Sequence, residues 1–280
     1  MVSIRYFAPS PELRPYLSSY YWFESNLPVF SDMMRAELPQ IRIATVGSAY
    51  NYYANGKVRR ATQAMLQGPT SGHVRFVANG PLHLFGVGLL PQGWAELIGE
   101  PADRLADDAV DLTDVVGNCA DEVVANMAIA CDDAARVRAA DAFFLCLLAR
   151  ARKSPLWFTR MTDQWLTGTA NPDVDALVRA SGMSARSVER MAKRIYGASP
   201  KLLARKYRAL GAAVRIGNAE ADNWADLGAG FYDQSHFIRE FKTFVGMTPS
   251  RFQDEAAPVT KLTIARKKLM PDMARLALYS

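Results

Sequence analysis

The chain has 280 residues, half of them apolar, and a formal net charge of +5. That length suits two domains. No apolar run reaches the ~18 residues of a membrane span, and the start MVSIRYFAPS lacks the charged-then-apolar pattern of a signal segment. Three cysteines, Cys119, Cys131 and Cys146, show no metal-type spacing and fit a reducing cytoplasm; Cys146, inside FFLCLL, reads as a buried thiol.

Charge divides the chain. Residues 1–150 hold 12 Lys and Arg against 16 Asp and Glu, a net of −4; residues 151–280 hold 21 against 12, a net of +9. A basic half joined to an acidic half points to one part meeting a polyanion. A solvated basic surface is the alternative, and charge alone does not decide between them.

Pro9 to Glu24 is aromatic, with Tyr16, Tyr20, Tyr21, Trp22 and Phe23. Ile41-Arg42-Ile43 alternates like a strand. Tyr50 to Tyr53 precedes Asn55-Gly56 and then Val58; His73 to Val77 precedes Asn79-Gly80 and then Leu82 to Leu90. Asn-Gly between apolar runs signals a hairpin whose two central residues take positive φ. Two hairpins predict an antiparallel sheet able to close into a small barrel. Tyr20, Trp22, Tyr50, Tyr52, Phe85 and Trp94 are candidates to line an apolar ligand pocket; for any one of them a place in an ordinary core is the stronger reading.

A metal site in such a sheet wants several His and a carboxylate. Only His73 and His83 are at hand, ten residues apart across a turn, and both are expected to be hydrogen-bonded strand histidines. No phosphate loop or nucleophile elbow occurs. The expectation is no metal, no cofactor, no catalytic residue and no enzyme activity.

Pro91-Gln92-Gly93 breaks the strand pattern, and helical periodicity follows. Asp111–Ala130 and Ala134–Ala151 read as a helical pair, with Val115, Val116, Val123, Val124 and Met127 on one and Val137, Phe143, Phe144, Leu147 and Leu148 on the other. This apolar face either packs on its own sheet or pairs with a second copy. Arg150 to Pro155 reads as a linker.

The basic half holds two helix-turn-helix patterns. In the first, Val174–Ser181 is a helix, Gly182-Met183 a turn, Ser184 an N-cap, and Ala185–Tyr196 a second helix closed by Gly197. Val188, Met191, Ala192 and Ile195 face inward; Arg186, Glu189, Arg190, Lys193 and Arg194 face outward. Ser199 and Pro200 open a connecting helix to about Ile216, whose Leu202, Leu203, Tyr207, Leu210 and Val214 can pack both units. The second pattern spans Asp222 to Arg251: a short helix, a Gly230-Phe231 turn, an Asp233 cap and a helix ended by Gly246. Phe237, Ile238, Phe241, Phe244 and Val245 are assigned to its core face; Gln234, Ser235, Arg239 and Lys242 to the other.

Gly230-Phe231, Asp233, Ser235-His236-Phe237, Arg239, Phe241-Lys242, Gly246 and Thr248-Pro249-Ser250 resemble the signature of AraC/XylS-type transcription regulators. So do Ser184, Arg186, Val188, Arg190, Gly197, Ser199-Pro200, Leu203 and Arg208. The resemblance implies an α+β chain. An amino-terminal, cupin-like, barrel-like domain with the helical pair would cover residues 1–150, an all-α domain of two helix-turn-helix units 156–256, and a tail 257–280. It implies double-stranded DNA as partner, a small-molecule effector in the amino-terminal domain, and, as further partners, RNA polymerase and a second copy of the chain. Arg186, Glu189 and Arg190 of the first unit, with Lys193 beside them, and Gln234, Ser235 and Arg239 of the second, with Lys242, fall where the family meets DNA. His236 falls in a structural or phosphate-contacting place.

One departure stands out. Between Leu227-Gly228 and Gly230-Phe231 lies Ala229 alone, so the helix before the turn is two residues shorter than the family pattern, a rotation of about 200°. The tail KLTIARKKLMPDMARLALYS is atypical and either lies back on the protein or stays mobile. Two other functions remain open at this level: a cupin-type metalloenzyme, and a ligand sensor that no longer binds DNA.

Overall fold

The computed structural model describes residues 2–218, 220, 227, 230–255, 263 and 273–279. Among these, ten strands build two antiparallel sheets: β1 (Val2–Phe7), β2 (Leu17–Ser25), β3 (Val29–Met34), β4 (Gln40–Val46), β5 (Ala49–Tyr53), β6 (Val58–Arg60), β7 (Ala64–Gln67), β8 (Val74–Asn79), β9 (Leu82–Leu89) and β10 (Ala109–Asp111). One sheet has the order β1-β2-β9-β4-β7-β10, the other β3-β8-β5-β6. Phe23, Leu82 and Leu84 of the first pack on Phe30, Ala49, Phe76 and Ala78 of the second. No strand is shared between them, so the barrel-like architecture is open rather than closed.

Successive side chains of a strand point to opposite faces, and here both faces of the six-stranded sheet are covered. Tyr20, Trp22, Ile41, Ile43, Phe85, Val87 and Leu89 turn away from the second sheet. They meet α1 (Cys119–Ile129) and α2 (Asp133–Arg150), which contribute Val123, Met127, Phe143, Phe144 and Leu147. Each buried Phe or Leu contributes roughly 1.5–3 kcal/mol. Of the two readings of the helical pair, the apolar face packs on its own sheet. Cys146 is half-buried on α2 rather than fully enclosed.

Both Asn-Gly turns form, but not as anticipated. Gly56 and Gly80 take φ of +88° and +100°, whereas neither preceding asparagine has positive φ. At the first, Gly56 N–H donates to Tyr53 O and Asn55 Oδ1 accepts from Lys57 N–H, and β5 and β6 pair as a hairpin. At the second, β8 and β9 do not pair. β8 lies between β3 and β5, and β9 between β2 and β4. Asn79-Gly80 therefore passes the chain from one sheet to the other, because strand pairing is decided by partners distant in sequence.

The longer helices of the carboxyl-terminal half are α3 (Leu156–Thr167), α4 (Val174–Ser181), α5 (Ala185–Tyr196), α6 (Pro200–Gly217), α7 (Gln234–Val245) and α8 (Pro249–Glu255). Their ends follow local chemistry. Asp173, Ser184, Ser199 and Asp233 each accept a backbone N–H of the first turn, and Gly182, Gly197 and Gly246 close helices at positive φ. α6 joins two cores. Leu203 and Tyr207 pack with Leu177, Val188, Ala192 and Ile195; Ala212, Ala213 and Ile216 pack with Phe231, Phe237, Phe241 and Phe252. The shortened helix before Gly230 lies outside the described residues, apart from Leu227. In the tail, Met273, Leu276 and Ala277 are buried in the first of these cores, so that stretch lies back on the protein.

Candidate functional site

On α5, Arg186, Glu189, Arg190, Lys193 and Arg194 are exposed, while Val188, Ala192 and Ile195 are buried. Met191 is half-buried. Lys193 Nζ lies 2.7 Å from Glu189 Oε1, and that hydrogen bond holds the ammonium above its ordinary value. The last turn of α5 rests against the amino-terminal half. Gly197 sits so near Pro69 and Ala102 that a Cβ would come within 2.4 Å of the Pro69 ring.

On α7, Gln234, Ser235, Arg239 and Lys242 are exposed. His236 is half-buried; its Nδ1 accepts from Tyr232 N–H at 3.1 Å and its ring lies 6.0 Å from that of Phe231. It thus fastens the turn that delivers α7. One assignment to the inner face needs correction, since Ile238 is 37% exposed; Glu240, given no face by the sequence, is buried. A helix turns about 100° per residue, so the stripe through Phe237 continues at 240, 241, 244 and 245; Ile238 falls off it. Glu240 takes both oxygens to Arg205 of α6, at 2.8 and 2.7 Å, and that pair draws its carboxyl below the usual range. No sequence motif announces it. The amino-terminal half meets the last turn of α7. Ala36 N–H donates to Phe244 O at 2.7 Å, and His73 Nδ1 donates to Thr243 O at 3.1 Å. The first two turns of α7 stay open.

The six aromatic candidates do not meet in one pocket. Tyr20, Trp22, Phe85 and Trp94 are packed between the six-stranded sheet and the helices. Tyr20 donates to Asp141 Oδ1 at 2.8 Å, and Trp94 Nε1 to Glu100 O at 2.7 Å. Tyr50 and Tyr52 are half-buried on β5, with Arg75 stacked 4.5 Å over Tyr52. A cavity of about 70 Å³ does exist, on the other side of the sheet. Tyr21, Phe23, Phe30, Met34, Phe76 and Leu84 form its apolar wall, and Arg35, Glu37, Gln40 and Arg42 its polar end. On β2, Tyr21 and Phe23 face this cavity, and Tyr20 and Trp22 face the helices. Gly86 makes the room: a Cβ there would lie 1.9 Å from the Tyr21 ring.

The polar end is a network. Arg42 donates to Tyr21 Oη (3.0 Å), Gln67 Oε1 (2.9 Å) and Glu37 Oε1 (2.8 Å). Gln40 Oε1 is buried without a hydrogen-bond partner among the described residues. Arg35 Nε donates to Tyr279 O and its Nη1 to Thr263 Oγ1, so the tail closes over this end. His83 Nε2 meets Asn26 Oδ1 at 2.9 Å. Among the described residues no three His, Cys, Asp or Glu are grouped to hold a metal, and no helix is long and apolar enough to cross a membrane.

Comparison with known proteins matches residues 177–255 to a family described as a helix-turn-helix domain, and residues 5–111 to a domain of unknown function, DUF6597. No curated protein matches the sequence. Among solved structures, ToxT from Vibrio cholerae is similar over 91% of this chain and 97% of its own, at 9% identity and a TM-score of 0.47. Unsaturated fatty acid bound ToxT covers 92% and 95%, at 10% identity and 0.46. The AraC-like transcriptional activator CuxR covers 76% and 87%, at 14% and 0.31. The helix-turn-helix match falls on the same stretch that carries the signature residues of both units. Residues 177–255 of the chain thus carry a helix-turn-helix domain of that family.

Proposed function

We propose that the open faces of α5 and α7 read a specific duplex. Arg186 and Arg190 take guanine edges, Gln234 and Arg239 take purine edges, and Glu189 and Ser235 complete the readout. Lys193, Lys242 and His236 hold phosphates, which fix register without reading sequence. The observation that carries this is the arrangement of the two helices. Each starts on a side-chain cap, sinks its apolar face into a core shared with α6, and leaves its first turns open. Both would enter major-groove segments about 34 Å apart on one DNA face, and any mismatch in spacing would bend the DNA at a cost of roughly 1–6 kcal/mol.

Residues 1–150 act as the sensor, 156–256 as the DNA-binding part. The effector site is the inter-sheet cavity, not the six aromatics chosen from sequence. A small amphipathic molecule would lay its apolar body on Phe23, Phe30 and Phe76 and offer a donor to Gln40 Oε1. A cytoplasmic, non-catalytic role, a second copy of the chain and RNA polymerase as further partners are what the resemblance to AraC/XylS-type regulators implies, and nothing in this geometry adds to them. Selection of duplexes from a random pool by the full chain, at two salt concentrations, tests the reading. Enrichment of one motif, with affinity falling as salt rises, is expected. Equal binding to all duplexes would overturn it.

A further inference from the structure

Ile238 is an apolar side chain standing where the proposed DNA-reading face needs polar ones. It lies about 100° round the helix from Phe237, on the side of Ser235 and Lys242 and one turn after Gln234. It is 37% exposed. The part of this branched aliphatic group that stays in water adds nothing to folding. Ile238 lies within the first two turns of α7, the part a reading helix presents to base edges, whereas the hydrogen bonds from the amino-terminal half reach Thr243 and Phe244 in the last turn. Tyr232, 92% exposed, flanks the same end.

The major groove offers one apolar feature, the C5-methyl group of thymine. An isoleucine flanked by Gln234 and Arg239 can cover that methyl while its neighbours take hydrogen bonds from adjacent bases. We infer that Ile238 is a specificity-determining residue that reads a thymine methyl in the half-site bound by the second unit. This rests on the DNA-reading role proposed above. It predicts a discrimination that arises from burial alone, with no ion released and no hydrogen bond made. It should therefore be insensitive to salt, unlike the phosphate contacts around it.

The test uses the duplex selected by the full chain from a random pool. Each thymine is replaced in turn by deoxyuridine, which keeps every hydrogen-bonding group and loses only the methyl. One substitution in the second half-site should weaken wild-type binding about fourfold, the worth of one buried methyl. The same substitution should leave Ile238→Ser unaffected, and the size of the wild-type effect should not change with salt. Melting of Ile238→Ser should match wild type, because the position is outside the core. Deoxyuridine tolerated at every position, a second half-site without thymine, or undiminished deoxyuridine sensitivity in Ile238→Ser would each overturn the assignment to Ile238 while leaving DNA reading intact. Loss of all sequence preference would overturn the DNA-reading role itself, and this inference with it.

Discussion

Lys206 of α6 donates a 2.9 Å hydrogen bond to the main-chain oxygen of Glu37. The carboxylate of that same Glu37 holds Arg42 at the polar end of the inter-sheet cavity, at 2.8 Å. One residue thus touches both the cavity wall and the helix on which both helix-turn-helix units are packed. Lys206 also donates to Thr70 O at 2.8 Å, and Thr70 Oγ1 accepts from Glu37 N–H. A shift of Arg42 or Glu37 on ligand entry would be felt at α6 through two bonds. Such a link is a coupling only if the two ends have different arrangements to choose between.

Lys206 should tie stability to alkaline pH. Burial pushes its ammonium down to about 8, against Asp107 and Glu37, which favour the charge. The folded value lies below the unfolded one near 10.4. Below pH 8 both states carry the proton and the folded chain bears the full cost of burying it. Between pH 8 and 10.5 the unfolded chain holds more protons, so stability rises with pH. The gain is about 3 kcal/mol at most. Urea unfolding of wild type and Lys206→Met should show the wild type gaining on the variant across this window. A constant difference would mean that Lys206 is not buried as a cation.

Arg42 and Glu37 form a pair with little exposure on either side chain, 7% and 13%. Removing one partner leaves the other charge without compensation. Arg42→Met should therefore cost about 3–5 kcal/mol. The double variant Arg42→Met, Glu37→Met should recover most of that, because replacing a whole buried pair by apolar side chains is often neutral. A double-mutant cycle by urea unfolding gives the coupling directly. Additive losses would show that the pair contributes no coupling.

What could be read from the sequence follows the range of the interactions. The caps Ser184, Ser199 and Asp233 and the closing Gly182, Gly197 and Gly246 depend on residues within one turn, and all lie where the spacing put them. Tyr20 and Tyr21 were a harder choice. Alternation shows that they face opposite ways, but both faces of this sheet are apolar, one under helices and one under the second sheet. Nothing local says which side keeps a cavity. Asn79-Gly80 marks a turn without naming the partners of the strands it joins. The burial of Glu240 is not legible locally, because its ion pair is with Arg205, 35 residues away.

Glu240 should set how firmly the second reading helix is held. It is 6% exposed and forms a two-pronged pair with Arg205. Glu240→Ala removes charge-assisted bonds and should cost about 1.5–3 kcal/mol, toward the lower end because Arg205 is 40% exposed. Glu240→Gln keeps one hydrogen bond and should cost less. On the selected duplex, Glu240→Ala should lose protection in the second half-site first, with the first half-site retained. Uniform loss across the whole footprint would show that the pair does not act on α7 alone.

Asp163 should make the first unit weaker as pH rises. It sits on α3, where Tyr196, the last residue of α5, donates to its Oδ1 at 2.6 Å. Burial pushes the carboxyl up to about 7, and the Tyr196 hydrogen bond opposes the shift. Here the folded value lies above the unfolded one. Below about pH 3 both states are largely protonated and the site costs nothing. From pH 4 to 7 the unfolded carboxyl ionises first, so stability falls with rising pH and stays lower above 7. The full shift would amount to about 4 kcal/mol; with the residue still half-buried, solvent reduces this to roughly 2 kcal/mol. Asp163→Asn keeps an oxygen for Tyr196 and removes the charge. It should unfold at higher urea than wild type at pH 8 and converge with it toward pH 5. Parallel profiles for the two proteins from pH 5 to 8 would show that Asp163 ionises freely in the folded chain, and that α5 is not anchored on a carboxyl strained by burial.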